Sequence, residues 1–444
     1  MGIAKTGARN GMLLATVAFA ATGVAGRAHA AAFYLQEQSV KAVGRAFSGE
    51  VSERGAEQMW WNPAAIGGIS APQAYFGLNA IIPRANSTNV NTLLVRPGGA
   101  PAPVGGAQVE HNPINNGFLP SGGFAIPINE RFTFGLTATS PYSFTTDYAA
   151  DSWARYDADK TRLRTYDIQP VIAWSPSPAL SIGAGPNIEY VTATLSNYLP
   201  DPLSPLLPDG HQSLKGDGWN VGWSMGFQYH DELVDIGVSY KSSVHHRLKG
   251  SLIINGISAA DPLAPAINQN IQGAAARFDT PWQVNAGVRL HATDQVTLNA
   301  QVTRFGWDKF DAIYLSNLGA LGNQAIPENY GNTWSYAVGV DYAVTPAWTV
   351  RGGVQRDLSP ISAGNRDPRV PDGNRWNFAL GTSYAVTKHF TIDAAASYDK
   401  IKSENIDKIE AAYPGQPIQT VILTSGRLHD ASALVFGLGG RISF

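Results

Sequence analysis

The chain has 444 residues, of which 44% are hydrophobic and only 15% charged, with 46 Gly, 28 Pro and no Cys. Soluble chains usually carry about a quarter charged residues, so this composition argues against an ordinary soluble domain. A formal net charge of −2 offers nothing to nucleic acid, and without Cys there are no disulfide staples.

Residues 1–30 join a basic head (Lys5, Arg9) to an apolar run from Met12 to about Val24 and then to Ala28-His29-Ala30. That order is the pattern of a secretory leader cleaved before Ala31. No later run of about eighteen apolar residues follows, so no transmembrane helix is expected. An exported chain of this kind is either soluble outside the inner membrane or a β-barrel in an outer membrane.

Residues 31–70, "AAFYLQEQSVKAVGRAFSGEVSERGAEQMWWNPAAIGGIS", lack strand alternation. Val40, Val43 and Phe47 sit at helical spacing, which predicts a short amphipathic helix over 39–47 ended by Gly49. In Asn62-Pro63-Ala64, Pro63 fixes its own φ and biases Asn62 toward extended backbone. With Phe33, Met59, Trp60 and Trp61 the segment is rich in apolar side chains.

From residue 71 the period changes to two. In "GWNVGWSMGFQY", Trp219, Val221, Trp223, Met225, Phe227 and Tyr229 alternate with small or polar residues. Fourteen such stretches are predicted, near 72–82, 121–128, 131–140, 164–174, 179–192, 218–229, 232–248, 281–291, 294–306, 332–343, 347–356, 374–385, 389–402 and 431–444. Connections alternate short and long, and aromatics gather at strand ends (Trp174, Trp219, Trp334, Trp348, Tyr384). The face opposite the apolar one carries Glu189, Asp235, Asp341, Arg351, Asp393 and Asp399, which a dry core would not hold unpaired. Even strand number, segregated loops and aromatic belts predict an all-β, 14-stranded antiparallel transmembrane β-barrel. The alternating run that ends in Phe444 then closes the barrel against the first strand. Fourteen strands enclose more space than wall side chains fill, so residues 31–70 are expected as a partly helical hatch inside the lumen, the alternative being a segment that decorates the periplasmic rim, with 71–444 as the barrel.

"AAFYLQEQSVKAVGRAFSGE" followed by "NPA" is similar to the N-terminal hatch of the outer-membrane long-chain fatty acid transporter family (FadL), which includes toluene-transport relatives. "GWNVGWSMGFQY", "VSYKSSVHHRLKGSL", "DTPWQVNAGV" and "RDLSPISAGNRDPRVPDGNRWNFALGTSYAV" resemble further segments in order, so the likeness covers the mature chain. It implies uptake of a hydrophobic small molecule, a long-chain fatty acid or alternatively an aromatic hydrocarbon. It further implies hatch residues Phe33, Val40, Val43, Phe47, Asn62, Pro63 and Ala64, and lateral release into the membrane through the third strand.

The third strand runs into Pro141, Tyr142 and Ser143. Proline lacks an N–H and disrupts a ladder, and the position that is usually Gly in the family reads Ser143. Either Pro141 opens the wall or the strand ends at Ser140. Basic loop residues of the fatty-acid members correspond here to Asn197 and Ile326, both uncharged. Lys215 and Lys241 are the candidate head-group contacts in their place. The expectations are an outer-membrane monomer surrounded by lipid, with no cofactor, no metal and no catalytic residue. An aqueous porin lacking the hatch and an outer-membrane lipase are the rivals. His245-His246 face opposite ways on a strand, and Asp357, Arg366, Asp372 and Arg375 are expected as a surface ion-pair network.

Overall fold

The protein is described here by a computed structural model covering residues 32–444; the leader read over 1–30 lies outside the described residues. Fourteen strands form the wall. They are β1 (Gln73–Asn89), β2 (Gly117–Pro127), β3 (Phe132–Thr139), β4 (Lys160–Ser177), β5 (Leu180–Leu199), β6 (Gly210–His230) and β7 (Val234–Lys241). Then follow β8 (Trp282–His291), β9 (Val296–Gly306), β10 (Thr333–Thr345), β11 (Trp348–Asp357), β12 (Arg375–Ala385), β13 (Phe390–Ile401) and β14 (Thr420–Ser443). Each pairs antiparallel with the next, and β14 returns to β1 in register from Gln73 opposite Ser443 to Ile82 opposite Leu434. The Phe444 N–H donates to the Pro72 carbonyl at 3.0 Å, so the seam is bonded through the last residue.

The apolar rows point outward. Trp219 and Val221 are 64% and 65% exposed, whereas Glu189 and Asp393 on the other face are 2% and 1% exposed. Trp219 and Tyr229 stand ten residues apart on β6, which at about 3.3 Å per residue and a tilt near 40° is roughly 25 Å along the barrel axis. Tyr166, Tyr190, Trp334 and Trp376 extend one belt at the long-loop end; Trp174, Tyr342, Trp348 and Tyr384 extend the other at the short-turn end.

Several strands run beyond the expected bounds. β14 starts at Thr420, not near 431, because its upper half pairs with Glu404–Ala412 in a hairpin above the belt. The stretch expected as one strand over 232–248 leaves the ladder at Ser242–Val244 and resumes over His245–Asn255. Parts of the predicted long loops are also ladder: Gln269–Asp279 pairs with His245–Asn255.

Residues 32–70 contribute no wall strand and lie inside the ring. The helix predicted over 39–47 is a single turn, α1 (Val40–Val43), whose Ser39 cap accepts from the Ala42 N–H at 3.1 Å. The chain then turns through left-handed Ala46 and Phe47 before Gly49 (φ 80°), so α1 is shorter than the apolar spacing suggests. Val40, Val43 and Phe47 are all buried. Asn62 caps the turn Pro63–Ile66, accepting from Ala64 N–H at 3.0 Å, and donates to the Val51 carbonyl at 2.7 Å and the Phe227 carbonyl at 3.1 Å. Pro at the first position of that turn has no N–H to leave unsatisfied.

An ionic lattice ties the lower hatch to β8–β14. Arg45 donates to Glu50 at 2.6 Å and to Asp341 at 3.1 Å, and also pairs with Glu53. Arg289 reaches Glu53 at 2.8 Å and Arg351 reaches Asp341 at 3.2 Å. The inward acids of the barrel strands are therefore partnered in large part by hatch and wall cations, as buried charges must be.

Candidate ligand-binding site

The wall is interrupted at β3. Its ladder with β4 runs from Phe132 opposite Trp174 to Thr139 opposite Asp167, then resumes with Ser143 opposite Arg164 and continues to Asp147 opposite Lys160. Three residues on one strand thus face two on the other, which bends the chain inward. Pro141 has no N–H to offer the ladder, while its carbonyl accepts from the Leu35 N–H of the hatch at 2.8 Å. Side chains replace the missing ladder bonds: Ser140 donates to the Thr165 carbonyl at 2.6 Å, and Thr165 Oγ1 accepts from the Tyr142 N–H at 2.9 Å. On the other side, β2 pairs with β3 only up to Gly122 opposite Ala138, so Gly117–Ser121 is bonded to β1 alone. Between these residues and Ser140–Tyr142 the sheet has a gap. The strand neither ends at Ser140 nor runs on unbroken.

Behind the gap, Phe33 of the hatch meets Tyr142 and Phe144 at ring-centroid distances of 5.9 and 5.7 Å, and Trp307 and Phe310 at 5.0 and 5.3 Å. Above this aromatic cluster is a cavity with an empty volume of about 730 Å³. Phe33, Phe144, Leu163, Leu248, Phe278 and Phe310 give it an apolar lining; Arg162 and Lys215 border it from strands on which their side chains share the outward parity of Tyr166 and Trp219, and Glu328 and Arg369 are the other ionisable groups along it. It adjoins a wider vestibule of about 2640 Å³ among the long loops, lined by Leu252, Ile254, Ile267, Leu315, Leu318 and Ile326; Leu195, Leu214 and Arg369 border both spaces.

Arg369 is the chemical exception in this lining. It is 6% exposed, its Nη2 donates to Asn197 Oδ1 at 3.2 Å, and its Nε and Nη1 have no hydrogen-bond partner. Among the described residues no carboxylate lies within 4.0 Å of it. Nearby Asp367 is already taken by Lys408 at 2.6 Å. Burial pushes the Glu328 carboxyl up to about 8, so at neutral pH it carries its proton and does not supply the counter-charge.

The sequence-predicted residues fall in different places. Phe33 lines the cavity and packs on Tyr142, which lies with Pro141 and Ser143 at the bend of β3. Asn197 stands at the top as a ligand of Arg369, and Ile326 lines the vestibule. Lys215 borders the cavity along β6, but its side chain shares the exposed outward parity of Trp219, which sets the ammonium on the outer face of the wall. Lys241 faces inward but lies below the cavity, its Nζ 3.8 Å from the centroid of the Trp60 ring in the hatch. The network expected at the surface is corrected. Asp357, Arg366 and Asp372 are buried rather than at the surface; Arg375 does pair with Asp357 at 2.8 Å, while Arg366 donates to the carbonyls of Asp372, Asn405 and Ile361 and has Glu404 at 3.9 Å. His246 faces in toward Glu189 at 3.1 Å and His245 faces out toward Asp279 at 2.8 Å.

A closed barrel, greasy outside and charged inside, with its lumen occupied by its own N-terminal segment, defines a plugged transmembrane channel of the bacterial outer membrane. Residues 21–444 match the family described as outer membrane protein transport protein (OMPP1/FadL/TodX), and the chain belongs to it. A curated relative, the long-chain fatty acid transport protein of Escherichia coli O6:H1, is 26% identical over 420 residues, covering 86% of this chain and 90% of that one. Among solved structures, a Pseudomonas aeruginosa FadL homologue superposes with a TM-score of 0.82 at 23% identity, covering 93% of this chain and all of that chain (100%). The Ralstonia pickettii toluene transporter TbuX gives 0.63 at 17% identity, covering 91% and 97%.

Proposed function

We propose that this channel takes up hydrophobic carboxylates, long-chain fatty acids above all, and releases them sideways through the gap beside Pro141. The observation that carries this reading is the buried guanidinium of Arg369 at the head of an apolar cavity. A buried cation with two unpaired donors is costly, and a carboxylate accepting a charge-assisted hydrogen bond from either of them would lower that cost. The alkyl tail would lie against Phe33, Leu163, Leu248 and Phe278, gaining roughly 0.8 kcal/mol for each methylene withdrawn from water. From there the gap between β2 and the inward bend at Ser140–Tyr142 leads to the lipid, a path on which the tail never meets bulk water. The hatch stays in place, and a single chain suffices because its own β14–β1 seam closes the wall. The role is passive transport with no chemical step.

The second reading is uptake of an uncharged aromatic hydrocarbon. It is favoured by the uncharged Asn197 and Ile326 and by the ring-rich lining of Phe33, Phe144, Phe278 and Phe310. Binding of oleate, oleyl alcohol and toluene to the purified protein separates the two. The carboxylate reading expects Arg369→Gln to weaken oleate about tenfold or more, the scale of a hydrogen bond to a charged group, and to leave oleyl alcohol unchanged. Equal loss of both ligands, or toluene binding tighter than oleate to wild type, overturns it.

A further inference from the structure

We infer that the outward face of β4–β8 above the aromatic belt is a docking site for a phosphorylated glycolipid of the outer leaflet. On this face Tyr166, Tyr190 and Trp219 lie side by side across β4, β5 and β6, their rings 6.5 and 5.0 Å apart. The strands continue beyond that belt, and what they carry there is basic.

Arg164 stands opposite Thr192, Thr192 opposite Asp217, and Asp217 opposite Lys249, forming one row across four strands. In the row above, Arg162 is opposite Thr194 and Thr194 is opposite Lys215. Arg247 and Arg277 complete the patch and are direct partners in the ladder between His245–Asn255 and Gln269–Asp279. Two like charges placed opposite each other on a sheet repel unless an anion sits between them. Among the described residues none of these six cations has a carboxylate within 4.0 Å. The acids of the same face are otherwise engaged: Asp217 accepts from the Tyr190 hydroxyl at 3.1 Å, Asp279 pairs with His245 at 2.8 Å, and Asp311 accepts from the Tyr314 hydroxyl at 2.6 Å.

A cluster of Lys and Arg on a loop is ordinarily a solvated surface. Here the position argues otherwise. Lys215 lies four residues beyond Trp219 on the same face of one continuous strand, about 13 Å along it. That is the depth of lipid head groups when the aromatic belt marks the edge of the hydrocarbon. The outer leaflet of this membrane consists of glycolipids carrying phosphates on their sugar head. Cations of adjacent strands, spaced by the sheet, match two such phosphates, while acyl chains below would pack on Ile168, Ile188 and Val221. Arg164 is the ladder partner of Ser143, so the bound lipid would also border the gap in β3.

The test uses the full chain in detergent micelles with three probes: bis-phosphorylated lipid A, the same lipid A dephosphorylated, and phosphatidylethanolamine, read by native mass spectrometry. Wild type is expected to hold the bis-phosphorylated form about tenfold more tightly than the other two. Arg164→Gln/Lys215→Gln/Arg247→Gln/Lys249→Gln should abolish that preference, and Lys215→Gln/Lys249→Gln should reduce it. Arg131→Gln/Lys388→Gln, at the short-turn rim, should keep it. Heat-modifiable migration on gels reports whether each barrel has folded. Should the fourfold variant fail to fold, the double variant and the phosphate preference of wild type still decide. A wild type indifferent to phosphate overturns the inference, as does a folded variant of the patch that retains the full preference.

Discussion

The Leu35 N–H donates to the Pro141 carbonyl at 2.8 Å, so the bent strand of the wall and the start of the hatch form one hydrogen-bonded unit. The bend is therefore held by the plug rather than by a loose strand end. Tyr34 and Tyr142 extend the same contact as an isolated bridge.

A gap held in this way is sensitive to bulk at its outer edge. Ser143 faces outward beside it, with its hydroxyl 2.8 Å from that of Ser140. Ser143→Trp should fill the space and lower oleate uptake by cells about tenfold, equivalent to about 1.4 kcal/mol on the barrier. Equilibrium binding of oleate to the purified variant should be unchanged. Unimpaired uptake would remove the lateral route.

The ionic lattice around Arg45 predicts how the plug fails. Its guanidinium joins Glu50, Glu53 and Asp341 in a site with 1% side-chain exposure. Arg45→Met would leave three acids buried against the remaining Lys41, Arg289 and Arg351, costing about 3 kcal/mol of hatch docking. The wall ladders do not involve this side chain, so the barrel should still form. Single-channel recording in planar bilayers should show the variant flickering to an ion-conducting state that wild type rarely visits.

Close approach of hatch and wall gives an independent route to the same outcome. A Cβ at Gly237 of β7 would sit 2.0 Å from the Val51 carbonyl oxygen. Gly237→Val should therefore prevent seating of the hatch at a cost of about 1–3 kcal/mol while leaving the outward face untouched. The expected readout is raised conductance with unaltered heat-modifiable migration. A silent, fully plugged channel would contradict the packing described.

Gly237 also illustrates what was legible in the sequence and what was not. The outward face of each strand obeys a strictly local rule, one apolar residue in two, so barrel, strand number and belts could be read directly. The inward face has no such rule. A small residue there reads as filler, and only the folded hatch shows that Gly237 clears space for Val51. Pro141 announced a broken ladder but not that the strand resumes at Ser143. The upper half of β14 was missed because, above the lipid, Thr420–Asp430 no longer needs a greasy face. Arg369 left no local signal in "NRDPRVPDGNR", since its role arises from three loops converging over the cavity. Lys215 was read by its charge without the parity that sets it beside Trp219.

Glu328 supplies a pH dependence for the cavity. Burial raises its carboxyl from the ordinary 4.5 to about 8, and the Arg369 and Lys408 charges only partly oppose that rise. An acid with a raised folded pKa holds its proton in the native state across this window, so its contribution to stability declines as pH climbs from about 4.5 toward 8. Below about 8 the neutral group tolerates an anionic head beside Arg369; above it, ionised Glu328 competes for the guanidinium and repels the ligand. Fatty acids titrate themselves, so the clean probe is a long-chain alkyl sulfonate, which stays charged throughout. Its affinity for wild type should fall several-fold between about pH 7 and 9, consistent with one carboxylate ionising in that range. Glu328→Gln should bind it with a flat profile at the wild-type pH 7 level. A drop that persists in Glu328→Gln would move the titrating group elsewhere, and a flat wild-type profile would place Glu328 outside the reach of the ligand head.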